Sequence, residues 1–148
     1  MLVVGISGIR GTLGERIGED LTREDIRKFV GAFASLVATK RGMKKIVVGR
    51  DARHSGPWIK AEVIDVVTAY GIQVIDLDLA TTPTIEFAVA REKAQGGIII
   101  SASHNPPEYN GLKFLNDCGE FASAQLGKKI LARYKKSIPP KKGTKKGK

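Results

Sequence analysis

Four short runs rich in valine and isoleucine divide the chain, and longer amphipathic segments separate them. The runs cover residues 2–6, 45–49, 72–77 and 97–101, and each is bounded by glycine or polar residues. Continuous apolar runs of this length are typical of strands that are covered on both faces. Strands that alternate with helices build βαβ units. The sequence therefore predicts a three-layer α/β/α domain with a mainly parallel or mixed four-stranded sheet, and a further short strand at residues 112–115.

The segments between the runs predict four helices. In the first, Thr22 is the expected N-cap, Asp25 completes a capping-box-like pair, and Gly42 follows the expected C-terminus. Its apolar residues share one face at helical spacing: Ile26, Phe29, Val30, Phe33, Leu36 and Val37. The other helices are predicted over residues 57–70, from about residue 83, and over residues 123–134.

The net charge of +10 is concentrated at one end of the chain. Eight of the 25 basic residues lie in residues 133–148 without an acid, so the rest carries 17 basic and 15 acidic residues. Residues 137–148 contain almost no apolar side chain and are predicted to form a disordered basic tail after a domain of residues 1–136. A basic tail without a basic, aromatic-rich face argues against nucleic acid as the main partner.

Cysteine usage and hydropathy indicate where such a protein works. The single cysteine, Cys118, excludes an intrachain disulfide and suits a reducing compartment. No apolar run approaches the roughly 18 residues that a membrane span needs. The apolar N-terminus lacks the basic start of a signal peptide and is predicted to be a strand. We expect a cytoplasmic protein with no membrane partner.

The loops that follow the apolar runs carry the polar residues that chemistry would need. They cover residues 7–12, 50–56, 80–84 and 101–111 and supply Arg, Gly, Ser, Thr, His and Asn. In open α/β sheets, ligands bind where loops leave the carboxyl ends of strands. Glycine-rich backbone and arginine forks suit phosphate groups. Neither a complete dinucleotide-binding fingerprint nor a P-loop is present.

The fourth loop holds a serine in a preset backbone. Ser103 follows a predicted buried strand, and Pro106 and Pro107 restrict the backbone after it. A serine fixed at a strand end is a candidate nucleophile or phosphate carrier, and a capping or turn serine is the alternative. A serine hydrolase is disfavoured because no G-x-S-x-G elbow is present.

Four motifs resemble those of one enzyme family. Residues 101–113, Ser-Ala-Ser-His-Asn-Pro-Pro-Glu-Tyr-Asn-Gly-Leu-Lys, closely resemble the active-site loop of the α-D-phosphohexomutase superfamily. That superfamily includes phosphoglucomutase, phosphomannomutase and phosphoglucosamine mutase. Further matches lie in the same order at residues 8–11, at residues 48–51 with Ser55-Gly56, and at residues 81–84. The resemblance covers roughly residues 2–135, the first domain of the family.

The resemblance implies a reversible 1,6-phosphoryl shift on a hexose phosphate. Ser103 would be a phosphoserine that phosphorylates the substrate, forms a bisphosphate intermediate and recovers the other phosphoryl group. Phosphoryl transfer mainly requires that the protein position the reactants and place cations around the negative charge that spreads over the phosphoryl oxygens. The family also implies Mg²⁺, bound by a phosphoserine oxygen at Ser103 and by three aspartates.

The resemblance assigns further roles one position at a time. Arg10 would face the phosphoryl group as a cation, Lys113 would act as a general acid/base or charge stabiliser, and His104 is a candidate for proton transfer. A solvated lysine at position 113 and an exposed loop arginine at position 10 are the alternatives. Asn105 is expected to shape the loop through side-chain-to-backbone hydrogen bonds. In the second loop, Arg50 and Asp51 are expected to brace neighbouring loops rather than to act in catalysis.

The chain departs from the family in what it lacks. The aspartate-rich metal loop, the sugar-recognition loop and the terminal phosphate-binding domain have no counterpart in it. We therefore expect a phosphoserine-bearing domain that is incomplete alone and needs the missing mutase domains or a partner chain. The sequence of residues 7–11, Ser-Gly-Ile-Arg-Gly, resembles most a phosphoglucosamine mutase-like branch of the family. A non-catalytic sugar-phosphate-binding or partner-dependent module is the alternative.

Overall fold

A computed structural model describes residues 1–136, which form one mixed sheet and four helices. The strands are β1 (Val3–Gly5), β2 (Gly8–Thr12), β3 (Lys45–Arg50), β4 (Gln73–Leu79), β5 (Gly96–Ile100) and β6 (Tyr109–Leu115). The helices are α1 (Arg23–Ala38), α2 (Gly56–Ala69), α3 (Thr82–Arg91) and α4 (Ala124–Lys136). The predicted basic tail, residues 137–148, lies outside the described residues.

The pairing of neighbouring strands changes from parallel to antiparallel within the sheet. Its strand order is β1-β2-β6-β5-β3-β4. The pairs β3–β4 and β3–β5 are parallel, whereas β5–β6, β2–β6 and β1–β2 are antiparallel. The predicted α/β/α class is confirmed with a mixed sheet, but the sheet has six strands rather than four.

Of the two strands beyond the four apolar runs, β6 contains the further strand predicted at residues 112–115, and β2 was not predicted. Two predictions for the N-terminal segment were wrong. Residues 8–12 were expected to lie in a loop but form β2, because Ile9 is buried and backbone pairing on both sides replaces the missing apolar pattern. Residues 2–6 were expected to be covered on both faces. Instead β1 is a three-residue edge strand, and Val3 and Val4 are 41% and 37% exposed.

Three helices cover one face of the sheet and one helix covers part of the other. The larger core lies between the sheet and α1, α2 and α4, and within it the rings of Phe29 and Phe33 both pack against Phe114. The smaller core lies under α3 and joins Ile85 and Val89 to β3 and β5. Because α3 packs over β3 and β5, the same face of β1, β2 and β6 stays open.

The start of α1 is set by the local signal that the sequence predicted. Thr22 Oγ1 accepts a hydrogen bond from the Asp25 backbone N–H, and the Asp25 carboxylate accepts one from the Thr22 backbone N–H. This reciprocal pair satisfies two donors at the start of α1. Of the four helices, none is long and apolar enough to cross a membrane, over the described part of the chain.

Candidate active site

Ser103 lies in the turn that follows β5 and is exposed. Its backbone has a φ of +55°, in the left-handed region that residues other than glycine rarely adopt. Within residues 1–136, its Oγ makes no hydrogen bond. Strained backbone of this kind persists only where the surroundings hold it, and it is frequent at functional sites.

Both backbone polar groups of Ser103 are held by neighbours. Its N–H donates to Ser101 Oγ at 3.0 Å, and its carbonyl oxygen accepts from Arg53 Nη2 at 2.9 Å. Asn105 tightens the turn, since its backbone N–H and its Nδ2 both donate to the Ala102 carbonyl, at 3.1 Å and 2.6 Å. The loop-shaping role predicted for Asn105 is confirmed.

The loop after β3 braces the loop after β5. Asp51 Oδ2 accepts from Ser101 Oγ at 2.8 Å and from Arg53 Nε at 3.2 Å, so Asp51 links the two loops as predicted. Arg50 turns the other way and pairs with Asp78, Nε to Oδ1, at 2.8 Å. Sequence reasoning overlooked Arg53, whose contacts to the 103–109 backbone depend on how two distant loops meet.

Arg10 and Lys113 come to the site from two antiparallel strands. In the β2–β6 ladder Arg10 lies opposite Gly111, and in the β5–β6 ladder Lys113 lies opposite Ile99. Alternation along the strands places both side chains on the face that α3 leaves open. Gly111 lets the strands approach closely, because a Cβ there would lie 2.7 Å from the Ile9 carbonyl oxygen.

A cleft of about 400 Å³ opens on this face. Ser103, Arg10 and Lys113 all line it, beside exposed Val3 and Phe121. Arg10 and Lys113 are the only charged side chains in the lining, and neither forms an ion pair within residues 1–136. Lys113 Nζ lies 5.7 Å from the centre of the Phe121 ring. Two cations without carboxylate partners favour binding of an anion.

His104 is exposed beside Ser103 but is not part of the cleft lining. The structure therefore places three of the four predicted catalytic residues in the cleft lining and the fourth outside it.

The described residues do not form a magnesium site by themselves. Over residues 1–136, no group of three or more His, Cys, Asp or Glu side chains could hold a metal ion. Among the described residues that line the cleft there is no carboxylate, although Mg²⁺ prefers oxygen ligands such as carboxylates. The acids of β4, at the opposite edge of the sheet, pair with a lysine, since Lys60 Nζ lies 2.9 Å from Asp76 and 2.8 Å from Asp78.

Known proteins are similar to this chain in sequence and in fold. Residues 1–140 match the family profile described as phosphoglucomutase/phosphomannomutase, alpha/beta/alpha domain I. A phosphoglucomutase/phosphomannomutase of Thermococcus kodakarensis is 42% identical over 116 residues, which are 78% of this chain and 25% of that protein. A phosphoglucosamine mutase of Nautilia profundicola is 38% identical over 134 residues, 90% of this chain and 29% of that protein.

Solved structures agree with the sequence matches. A putative phosphomannomutase from Thermus thermophilus superposes with a TM-score of 0.79 at 28% identity, covering 90% of this chain and 30% of that chain. The present chain thus spans between a quarter and a third of the relatives that it matches. The profile match, the curated relatives and the shared fold establish that the chain belongs to the phosphoglucomutase/phosphomannomutase family, as its first α/β/α domain.

Proposed function

We propose that this chain is the phosphoserine-bearing domain of a phosphohexose mutase, with Ser103 as the phosphoryl carrier. The observation that supports this most strongly is an exposed serine with an unbonded Oγ in a cleft that also holds two unpaired cations. The names of the relatives give the reaction class, the interconversion of hexose phosphates. Several of those names specify phosphoglucosamine mutase, and we favour glucosamine phosphate as the substrate.

The reaction would proceed by two transfers at one oxygen. In the first, the bond between phosphorus and Ser103 Oγ breaks as a sugar hydroxyl oxygen bonds to phosphorus, which yields a hexose bisphosphate. The hydroxyl proton leaves to a nearby base, for which His104 is the candidate, and the Ser103 oxygen that leaves takes up a proton, which the Lys113 ammonium could donate as a general acid. After the bisphosphate reorients, Ser103 Oγ loses its proton to the base and bonds to the phosphorus of the other phosphoryl group. The bond between that phosphorus and the sugar oxygen breaks, and the sugar oxygen takes up a proton, so that Ser103 is phosphorylated again. Arg10 and Lys113 would stabilise the negative charge that spreads over the phosphoryl oxygens.

Magnesium belongs to this proposal only through Ser103. Phosphorylated, Ser103 would offer an oxygen ligand, and every other ligand would have to come from outside residues 1–136. For the same reason we propose that turnover needs further mutase domains or a partner chain. Exposed Cys118 has no cysteine partner and fits the cytoplasmic location that we propose.

Phosphoryl transfer to Ser103 can be tested in a chimera. Residues 1–136 would replace the corresponding domain of the Thermococcus kodakarensis relative, and the chimera would be incubated with radiolabelled glucose 1,6-bisphosphate. We expect label on Ser103, located by peptide mass spectrometry, and mutase turnover. Ser103→Ala should abolish both, whereas Ser7→Ala, an exposed serine in the same cleft, should retain both. Label on another residue, or label retained in Ser103→Ala, would refute the carrier role.

Experiments on the 148-residue chain alone help to distinguish a mutase domain from a non-catalytic binding module. We expect the isolated chain to show no turnover in a mutase assay. Calorimetric binding of glucosamine 6-phosphate to the chain, together with an inactive and unlabelled chimera, would support a non-catalytic sugar-phosphate-binding module instead.

A further inference from the structure

Arg53 uses every hydrogen-bond donor of its guanidinium group inside the protein. Nε donates to Asp51 Oδ2 at 3.2 Å. The four remaining donors go to backbone carbonyl oxygens of the loop after β5 and of the first residue of β6. Nη1 donates to Pro106 at 2.6 Å and to Tyr109 at 3.1 Å, and Nη2 donates to Ser103 at 2.9 Å and to Asn105 at 2.7 Å. A guanidinium group has five N–H donors, so none is left for a ligand.

The position of Arg53 fits a fixed internal brace. Its side chain is only 13% exposed, although it is charged and lies in a loop. The Asp51 carboxylate that faces it also accepts from Ser101 Oγ, and Ser101 Oγ in turn accepts from the Ser103 N–H. One connected network therefore holds both the N–H and the carbonyl group of the residue with the strained backbone.

We propose that Arg53 is the positioning residue of this site, a guanidinium clamp that fixes the left-handed backbone of Ser103 and so aims its Oγ into the cleft. The inference rests on the proposed function of Ser103 as phosphoryl carrier. Arg53 acts through Ser103 and not on the substrate, because all its donors are occupied. Lysine cannot replace it, since an ammonium group has three donors and lacks the planar fork.

Hydrogen exchange of the 148-residue chain tests the clamp without reference to catalysis. We expect Arg53→Lys and Arg53→Gln to raise amide exchange at least tenfold in the peptide that covers residues 101–109. Arg50→Lys is the matched control, because Arg50 lies on the same segment, is also 13% exposed and does not bond to residues 103–109. Unchanged exchange in both Arg53 variants would overturn the proposal.

Phosphoryl transfer in the chimera tests the functional consequence. Misplacement of a reacting atom by about 1 Å costs on the order of 100-fold in rate, so we expect Arg53→Lys to lower the maximal rate of Ser103 labelling by about that factor. The bisphosphate concentration that gives half-maximal labelling should change little, since Arg53 does not touch the ligand. Guanidinium ion, added well below denaturing concentrations, should partly restore the rate in Arg53→Ala but not in Ser103→Ala.

These outcomes separate the two proposals. A chimera that takes no label at Ser103 would refute the phosphoryl-carrier function, and the exchange measurement would still decide whether Arg53 holds the loop. Normal labelling at Ser103 in Arg53→Lys and Arg53→Gln would refute the positioning role alone. A raised half-maximal concentration with an unchanged maximal rate would also refute it, because that pattern indicates direct ligand contact.

Discussion

Gly111, in β6, lies between β2 and the start of the loop that carries Ser103. Gly111→Ala tests whether the site depends on the close packing of these segments around residue 111. The new Cβ would lie 2.7 Å from the Ile9 carbonyl oxygen, 2.8 Å from Arg10 Cβ and 3.0 Å from the Ser101 carbonyl oxygen. The Gly111 carbonyl also accepts from the Ser101 N–H at 3.0 Å, so the backbone at residue 101 cannot move away from β6 without breaking this hydrogen bond. Overpacking against fixed backbone costs about 1–3 kcal/mol, and we take about 2 kcal/mol.

The expected change is measurable by thermal unfolding. With about 2.1 cal/mol/K of unfolding entropy per residue, a domain of this size loses about 3.5 °C of Tm per kcal/mol, which predicts a drop of about 7 °C. Gly5→Ala is the control, because Gly5 lies in β1 of the same sheet and a Cβ there would meet no atom of the described residues within 4 Å. Gly111→Ala should also lower the labelling of Ser103 in the chimera. A Gly111→Ala chain that melts within about 2 °C of the wild type would refute the close-packing argument.

Three further changes probe separate parts of the fold. Thr22→Ala removes the capping box of α1 and should lower the free energy of unfolding by about 1 kcal/mol in urea titration. The Arg16 guanidinium bonded to Asp20 lowers the pKa of that carboxyl to about 2, so its stabilising effect is present above its ordinary value of 3.8 and is lost as pH falls toward 2. The Tm difference between wild type and Asp20→Asn should therefore shrink over that interval, and a constant difference would contradict the assignment. Ser103→Gly relieves the left-handed strain and should raise Tm by about 3 °C, for about 1 kcal/mol, whereas Ser103→Ala should leave Tm unchanged; equal values for the two variants would show that no strain is stored.

The central strands and the helices were predictable because their signals are local. β5 is buried throughout, and its run of Gly and Ile predicts a covered strand without knowledge of its neighbours. The start of α1 follows from the spacing of Thr22 and Asp25. Ser103 and Asn105 could likewise be singled out, because the proline-rich loop after a buried strand is itself a local pattern.

The remaining features depend on long-range pairing and could not be predicted from local sequence. β2 contains two glycines in five residues, and only its pairing with β1 and β6 makes it a strand. The contacts of Arg53 link residues that lie about fifty positions apart, and nothing in the side chain itself distinguishes it from Arg50. The exposure of β1 follows from its place at the edge of the sheet.

β5 has a parallel neighbour on one side and an antiparallel neighbour on the other. For this reason the residues that hold the Ser103 backbone and the cations of the cleft reach Ser103 from opposite sides of β5. The parallel neighbour, β3, ends beside β5, so its loop delivers Asp51 and Arg53 to the backbone of the next loop, and the Asp51 N–H bonds to the Ile100 carbonyl. The antiparallel neighbour, β6, runs back from that loop and places Lys113 in the cleft, and its pairing with β2 adds Arg10. An all-parallel sheet would lead the chain away from β5 through a crossover helix and would not return a cation beside the loop. Positioning and charge stabilisation therefore rest on different strands. For that reason, substitutions of Arg10 or Lys113 should weaken phosphoryl transfer without loosening the loop, whereas substitutions of Arg53 should do both.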